Sequence, residues 1–291
     1  MRRAMLFLPG NNPNMLINGG NLGADSIIFD LEDAVSPDEK DAARILVRRA
    51  LGAMDFGKCE IIIRINSLDT PYWERDIEEL APLGPDIIMP TKVSGPDYIR
   101  ALSAKLDEVE KTSGMTKKAA LMPLLETALG LENSFAIASC DTRITALFLG
   151  AEDLTADLRS ARTREGAEIA YARSRIVCAA RAAGVDVMDT PFTDINDLEG
   201  LRQDALLAKS LGFSGKAAIS PRHVDIINEV FSPGEEEIAY ARQVFEAIKI
   251  AKEQGRGAIA LKGKMIDAPI VERARIVLET AEELGRSIRN D

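Results

Sequence analysis

The sequence predicts an α/β fold, a (β/α)8 TIM barrel followed by a C-terminal helical extension. Three observations point there. Eight short apolar runs alternate with longer amphipathic segments. The runs are filled with Val, Ile and Leu and show little alternation, as expected of strands covered on both faces. Acidic residues and an arginine stand at the C-terminal ends of several successive runs, the edge where barrel enzymes keep their sites. The competing architecture is an open doubly wound sheet, but Pro9-Gly10-Asn11-Asn12 follows the first run where a G-x-G-x-x-G would be needed.

In chain order the expected strands are Ala4–Leu8, Ser26–Phe29, Glu60–Ile65, Ile87–Met89, Ala119–Leu125, Ile144–Leu149, Val185–Met188 and Lys216–Ile219. Helical patterns lie between them, among them Pro37–Leu51, Asp97–Glu110 and Glu165–Ala183. Ser36-Pro37-Asp38-Glu39 offers an N-cap serine, a proline at the first helical position and a glutamate for a capping box. Ser232-Pro233-Gly234-Glu235 repeats the pattern, and Ser220-Pro221 opens a further helix. Residues 1–230 are thus read as the barrel domain and 231–291 as an appendage. The appendage has a long charged helix, Glu235–Gln254, a link broken by Gly255, Gly257 and Gly263, and a last helix from about Ala268 to Leu284. It is expected to have no core of its own and to pack on the barrel or on a neighbouring subunit.

The bulk numbers exclude several classes. A net charge of −10 argues against a general binder of nucleic-acid backbones, and 5% aromatic residues leave little for base stacking. Cys59, Cys140 and Cys178 are scattered and odd in number, which fits reduced packing residues better than a zinc site or a disulfide frame. No stretch is long enough to span a membrane, and the apolar run after Arg2-Arg3 is too short for a signal peptide, so a cytoplasmic protein is expected.

Glu126 ends the fifth run and Asp153 closes the Gly150-Ala151-Glu152-Asp153 turn after the sixth. They lie 27 residues apart, about one strand–helix–strand unit. On parallel neighbouring strands both carboxylates emerge at one edge, and with no His or Cys nearby they read as oxygen ligands for a hard divalent cation. The alternative is that each caps a helix or pairs with an arginine. Asp30-Leu31-Glu32-Asp33 places three acids after the second run, where like charges raise one another's pKa unless a cation neutralises them. Arg64 either clamps a substrate carboxylate or offsets those acids. Lys92 and Lys216 are strand-end lysines of the kind that forms a Schiff base in metal-free aldolases, a reading the acids oppose. His223 falls in a first helical turn and is read as non-catalytic. Trp73, early in a helix, is read as packing. Asp267 stands where the N-cap of the last helix belongs.

RRAMLFLPGNNP, IIFDLEDAVSPDEKDAAR, IIIRIN, LLETALG, FLGAEDL, DTPF, GFSGKAAISP and GKMIDAPIVERARIV occur in this order over nearly the whole chain. Together they resemble the citrate lyase and HpcH/HpaI aldolase family, most closely its citrate lyase β-subunits. The resemblance implies a magnesium-dependent barrel enzyme that makes or breaks carbon–carbon bonds between an acyl thioester and a 2-oxo acid. It implies Glu126 and Asp153 as Mg2+ ligands, with Glu126 also against the substrate. Arg64 would hold the 2-oxo acid, and Glu32 and Asp33 would sit behind the metal. Asp267 would be an acid–base group delivered by a C-terminal lid over the site of a neighbouring subunit. Arg2, Arg3 and Lys92 would be candidates for the thioester carrier. The implied reaction is cleavage of a citryl thioester, on an acyl-carrier protein or on CoA, to oxaloacetate and an acetyl thioester. Implied partners are further copies of the chain, in a trimer or hexamer, and the acyl-carrier and transferase subunits of citrate lyase. A stand-alone malyl-CoA or methylmalyl-CoA lyase or synthase is the alternative, and a non-catalytic assembly subunit the third reading. Two positions depart from the pattern: many relatives have His at Ser220, and Pro in place of Thr91.

Overall fold

The computed structural model describes residues 1–253, 260–261 and 264–285. Gln254 and the expected glycine link at Gly255, Gly257 and Gly263 lie outside the described residues. The chain separates into two compact units. One runs from Arg2 to Phe231; the other starts at Ser232 and includes Met1.

The first unit is built on nine parallel strands: β1 (Ala4–Pro9), β2 (Ser26–Asp30), β3 (Glu60–Arg64), β4 (Ile87–Met89), β5 (Ala120–Leu121), β6 (Leu124–Leu125), β7 (Ala146–Leu149), β8 (Asp186–Asp189) and β9 (Gly215–Ala218). Their order across the sheet is β5-β4-β3-β2-β1-β9-β8-β7-β6. The helices are α1 (Pro13–Asn18), α2 (Lys40–Ala53), α3 (Trp73–Leu80), α4 (Pro96–Thr112), α5 (Ala128–Glu132), α6 (Ser134–Ala138), α7 (Ala151–Asp157), α8 (Ala170–Ala183), α9 (Leu198–Leu211) and α10 (Pro221–Phe231).

The expected fifth strand, Ala119–Leu125, is split into β5 and β6 because Pro123 has no N–H to give a ladder. The split segment still bonds on both sides. Met122 and Leu124 donate to the carbonyls of Ile88 and Pro90, while Thr145 and Phe148 donate to those of Leu121 and Pro123. Only an isolated bridge from Leu121 to Ile144 extends the sixth run N-terminal of β7. At the other end, β9 begins one residue early, at Gly215. A Cβ there would lie 1.9 Å from the Arg2 carbonyl oxygen, so only glycine lets β9 lie this close to β1.

Both faces of the sheet are covered, as the apolar runs require. Leu6, Ile27, Phe29, Ile63 and Leu147 face the helices in the main core. Met5, Ile28, Ile62, Met89, Phe148, Met188 and Ala217, from strands across the whole order, form a second cluster. A flat sheet would hold its outermost strands about 40 Å apart, so this shared interior requires a strongly curled sheet. Ser36 does not cap as expected. It makes no side-chain cap bond, and Pro37–Glu39 forms a 3-10 turn before α2. Trp73 is partly buried against the main core, as read.

The second unit holds α11 (Glu235–Glu253), an antiparallel pair β10 (Ala260–Leu261) and β11 (Lys264–Met265), and α12 (Ala268–Glu283). At the start of α11 the cap is shifted two residues from the expected Ser232 and Glu235: the helix begins at Glu235, and Glu237 Oε2 accepts from the Gly234 N–H at 2.9 Å. Contrary to expectation this unit has a small core of its own. Ala241, Val244, Ile266 and Ala274 are buried, with Tyr240, Ile248, Val271 and Leu278 packed around them. Among the described residues no helix is long and apolar enough to cross a membrane.

Candidate active site at the C-terminal edge of the strands

A cavity of about 410 Å³ opens at the C-terminal ends of the strands. Its lining includes Asp30, Asp33, Arg64, Glu126, Asp153 and Thr190, with Phe7, Phe148 and Pro191 as apolar walls. The register explains the first contact. Asp30 ends β2 directly opposite Arg64, which ends β3. The carboxylate of Asp30 takes two bonds from that guanidinium, Nε at 2.7 Å and Nη2 at 2.5 Å. Nη1 of Arg64 lies 3.2 Å from Glu32 and 3.6 Å from Asp33, and the guanidinium carbon stands 5.0 Å from the centre of the Phe7 ring. Burial would lower the pKa of Arg64, but the charges of Asp30, Glu32 and Asp33 outweigh it and raise the pKa, so the group is permanently charged. Arg64 therefore does offset the acids, while still lining the cavity.

Glu126, at the end of β6, is buried. Its Oε1 accepts from the Lys92 backbone N–H at 2.7 Å. Burial is the main reason its carboxyl is pushed up to about 8; the Lys92 N–H and Arg64 oppose this, and Glu32 and Asp153 add to it. Lys92 holds a backbone φ of 53°, uncommon outside glycine and strained. That conformation lets one residue serve three acids, its N–H on Glu126 and its Nζ 3.0 Å from Glu32 and 3.7 Å from Asp153. Burial lowers the Lys92 pKa, but its hydrogen bond and attraction to Glu32 dominate and raise it. Burial pushes the Glu32 carboxyl up, partly countered by Arg64 and Lys92.

The donor set suits a hard cation: all oxygen, like-charged, and already drawing an ammonium between two of its members. Among the described residues no group of three or more His, Cys, Asp or Glu side chains could hold a metal ion. A cation held by Glu126 and Asp153 would therefore take its remaining ligands from substrate and water, as Mg2+ commonly does.

The other expected site residues separate. Arg2 and Arg3 stand at the opposite, N-terminal edge of the strands. Arg2 binds Glu60 at 2.8 Å and Asp186 at 3.0 Å, and Arg3 binds Asp25 at 2.7 Å. Those pairs tie strand starts together, so the carrier role expected of Arg2 and Arg3 does not fit their position. Lys92 faces the acids, not a carrier. Lys216 is fully buried, with Nζ 2.6 Å from Asp189 and 2.5 Å from Asp204, a poor nucleophile for a Schiff base. His223 is buried in α10. Asp267 lies in the second unit, where its Oδ1 accepts from the Ile270 N–H at 3.2 Å and caps α12.

Sequence reasoning had Asp30 among the acids that Arg64 could offset, without singling it out, and placed Thr190 at a strand end without a role; it missed Phe7 as a wall and Gly150. The Asp30–Arg64 contact depends on strand register, which no local motif encodes. Gly150 stands next to Glu126: a Cβ there would lie 2.7 Å from Glu126 Cβ and 2.8 Å from its Oε2.

The cavity with its acids, arginine and apolar walls can be set beside known proteins. The chain is 44% identical to citrate lyase subunit beta of Leuconostoc mesenteroides subsp. cremoris, over 97% of its length and 93% of that protein's. It is 34% identical to the L-malyl-CoA/beta-methylmalyl-CoA lyase of Cereibacter sphaeroides, over 97% and 95%. Among solved structures it resembles the citrate lyase beta subunit of M. tuberculosis complexed with oxaloacetate and magnesium. That match has a TM-score of 0.67 and 30% identity, over 80% of this chain and 97% of the other. Residues 3–221, which contain every side chain lining the cavity, match the model of one family. The chain belongs to the HpcH/HpaI aldolase/citrate lyase family.

Proposed function

We propose that this protein is a Mg2+-dependent carbon–carbon lyase, the β-subunit of a citrate lyase, which splits a citryl thioester into oxaloacetate and an acetyl thioester. The observation that supports it best is the convergence of Arg64, Glu126 and Asp153 on one cavity with Glu32 and Lys92 at hand. Glu126 and Asp153 would hold the metal, and Glu32 and Asp33 would orient its waters. Bound there, Mg2+ supplies Lewis-acid polarisation of the oxygen that becomes the ketone.

The chain's own residues do the rest. Arg64 is held by Asp30 and presents its outer N–H groups to the carboxylate of the 2-oxo acid half. Phe7, Phe148 and Pro191 keep water from the thioester enolate that forms when the carbon–carbon bond breaks. Asp267 moves the proton at the substrate hydroxyl or at the enolate carbon. Lys92 neutralises Glu32 and Asp153, a role in place of carrier binding.

In this reading residues 1–230 are the catalytic domain, and the split strand closes the sheet as a (β/α)8 barrel. Residues 231–291 form a lid and oligomerisation segment that carries Asp267 over the site of a neighbouring subunit. The assembly would be a trimer or hexamer in the cytoplasm, with acyl-carrier and transferase subunits as partners.

The test is a cleavage assay with citryl-CoA and malyl-CoA, each with Mg2+ and with excess chelator. Faster cleavage of citryl-CoA, abolished by chelator and restored by Mg2+ or Mn2+, is expected. Preference for malyl-CoA would make the chain a malyl-CoA-type lyase. Undiminished activity in chelator, with a lysine adduct trapped by borohydride, would replace metal chemistry with a Schiff base.

A further inference from the structure

Beside the cavity lies a cluster of four charges that the chemistry above does not use; Arg173, Asp189 and Lys216 are buried, and Asp204 is partly exposed. Arg173 on α8 grips Asp189, the last residue of β8, with Nε at 3.0 Å and Nη2 at 2.9 Å, and Nη2 also reaches Asp204 on α9 at 2.7 Å. Lys216 on β9 completes it with Nζ 2.6 Å from Asp189 and 2.5 Å from Asp204. Two cations and two anions balance, so the cluster carries no net charge to attract a ligand. Breaking one member would leave another buried and unpaired, which makes its geometry stiff.

The cluster has one outlet toward the site. Lys216 Nζ donates to the backbone carbonyl of Thr190 at 2.7 Å, immediately after Asp189. The Thr190 side chain is fully buried, and its hydroxyl oxygen accepts from the N–H of Ala151 at 3.2 Å. Ala151 is the first residue of α7. Its N-cap position is Gly150, which has no side chain to satisfy the free N–H groups of the first turn. Thr190 therefore supplies, from just past the end of β8, the cap that the helix lacks, and two residues after Ala151 stands Asp153.

We infer that Thr190 is a positioning residue for the metal site. Its hydroxyl, anchored through Lys216 to the Arg173–Asp189–Asp204 cluster, fixes the start of α7 and so the place from which Asp153 reaches the cation. The inference rests on the metal reading above and adds to it the group that sets one ligand's position. Outer hydrogen bonds of this kind are typically worth ~10–100-fold in metal affinity.

The experiment measures Mn2+ binding to the full chain by electron paramagnetic resonance, without substrate, for wild type, Thr190→Val, Thr190→Ala, Thr190→Ser and Asp153→Asn. Val keeps the volume and loses the hydroxyl; Ser keeps the hydroxyl. The expected result is affinity about 10-fold weaker in Val and Ala and close to wild type in Ser, with unchanged circular dichroism. Wild-type affinity in either folded variant that lacks the hydroxyl, or equal weakening in Ser, would overturn the inference. Should Val not fold, Ala against Ser gives the same decision. No Mn2+ binding by wild type, or binding undiminished in Asp153→Asn, would instead fail the metal reading itself.

Discussion

Gly150 shows how narrowly the candidate site is fitted. Its backbone needs no unusual torsion; what it provides is space, because an added Cβ would press on Glu126 at both Cβ and Oε2. Glu126 Cβ is fixed to the backbone just past β6, so Glu126 as a whole must shift and its carboxylate with it. Gly150→Ala is expected to lower turnover roughly 10²-fold, the usual effect of displacing a working group by about 1 Å. The overpacking should cost only ~1–3 kcal/mol of stability. A mutant with normal turnover in a steady-state assay would show that Glu126 need not stand where it does. At this scale the sequence revealed the acids and Arg64, because chemistry-bearing residues at strand ends are visible as letters. It did not reveal the roles of Gly150 and Thr190, which are a missing atom and a bond to a residue 39 positions away. The carrier role given to Arg2 and Arg3 came from the resemblance alone; their place before the first strand puts them at the N-terminal edge, away from the cavity.

Among the elements, α10 carries the chain's single histidine, which gives a clean titration. Burial of His223, assisted by the charges of Lys216 and Arg222 and opposed by the Ile195 backbone, holds its imidazole below its ordinary value. The native state thus binds this proton less readily than the unfolded chain. The stability contribution is complete above about pH 6.5 and is lost as the pH falls through the folded value. The loss can reach at most about 1.4 kcal/mol per pH unit, since one proton is involved. Urea midpoints should fall between pH 7 and 5.5 in wild type and less in His223→Gln, with the imidazole NMR signal titrating below pH 6.5. A ring that titrates at or above that value would contradict the burial argument. The periodicity of the chain located every parallel strand to within about two residues. It could not see that Pro123 would divide one of them, or that Ser36 would cede the first turn to a 3-10 geometry, since both are settled by hydrogen-bond geometry.

For the molecule as a whole, the two readings of Asp267 give opposite outcomes. As an N-cap alone, Asp267→Asn should be nearly neutral, because asparagine caps about as well. As the acid–base group it should lose ~10²–10⁴-fold in turnover while α12 and the Mn2+ affinity persist. If it serves a neighbouring subunit, inactive Asp267→Asn chains mixed with inactive Glu126→Gln chains should regain partial activity after subunit exchange. Failure to complement, with exchange verified by mass spectrometry, would sink action across a boundary. The second unit was legible as helices, but its own small core was not, because four buried side chains spread over both helices and the segment between them form no periodic pattern.

The placement of β1 between β2 and β9 has a consequence for how the chain is made. β1 meets β2 within thirty residues of synthesis, yet its other partner pairs Ala4 with Lys216. At roughly 5–20 residues per second, one side of the first strand emerges some 10–40 s before its match exists. Through that interval Met5 and Leu6, fully enclosed in the finished protein, depend on chaperones or on transient collapse for cover. Arg2, just before β1, reaches across the same gap in time: its partner Glu60 opens β3 early in synthesis, whereas its other partner, Asp186, appears only with β8.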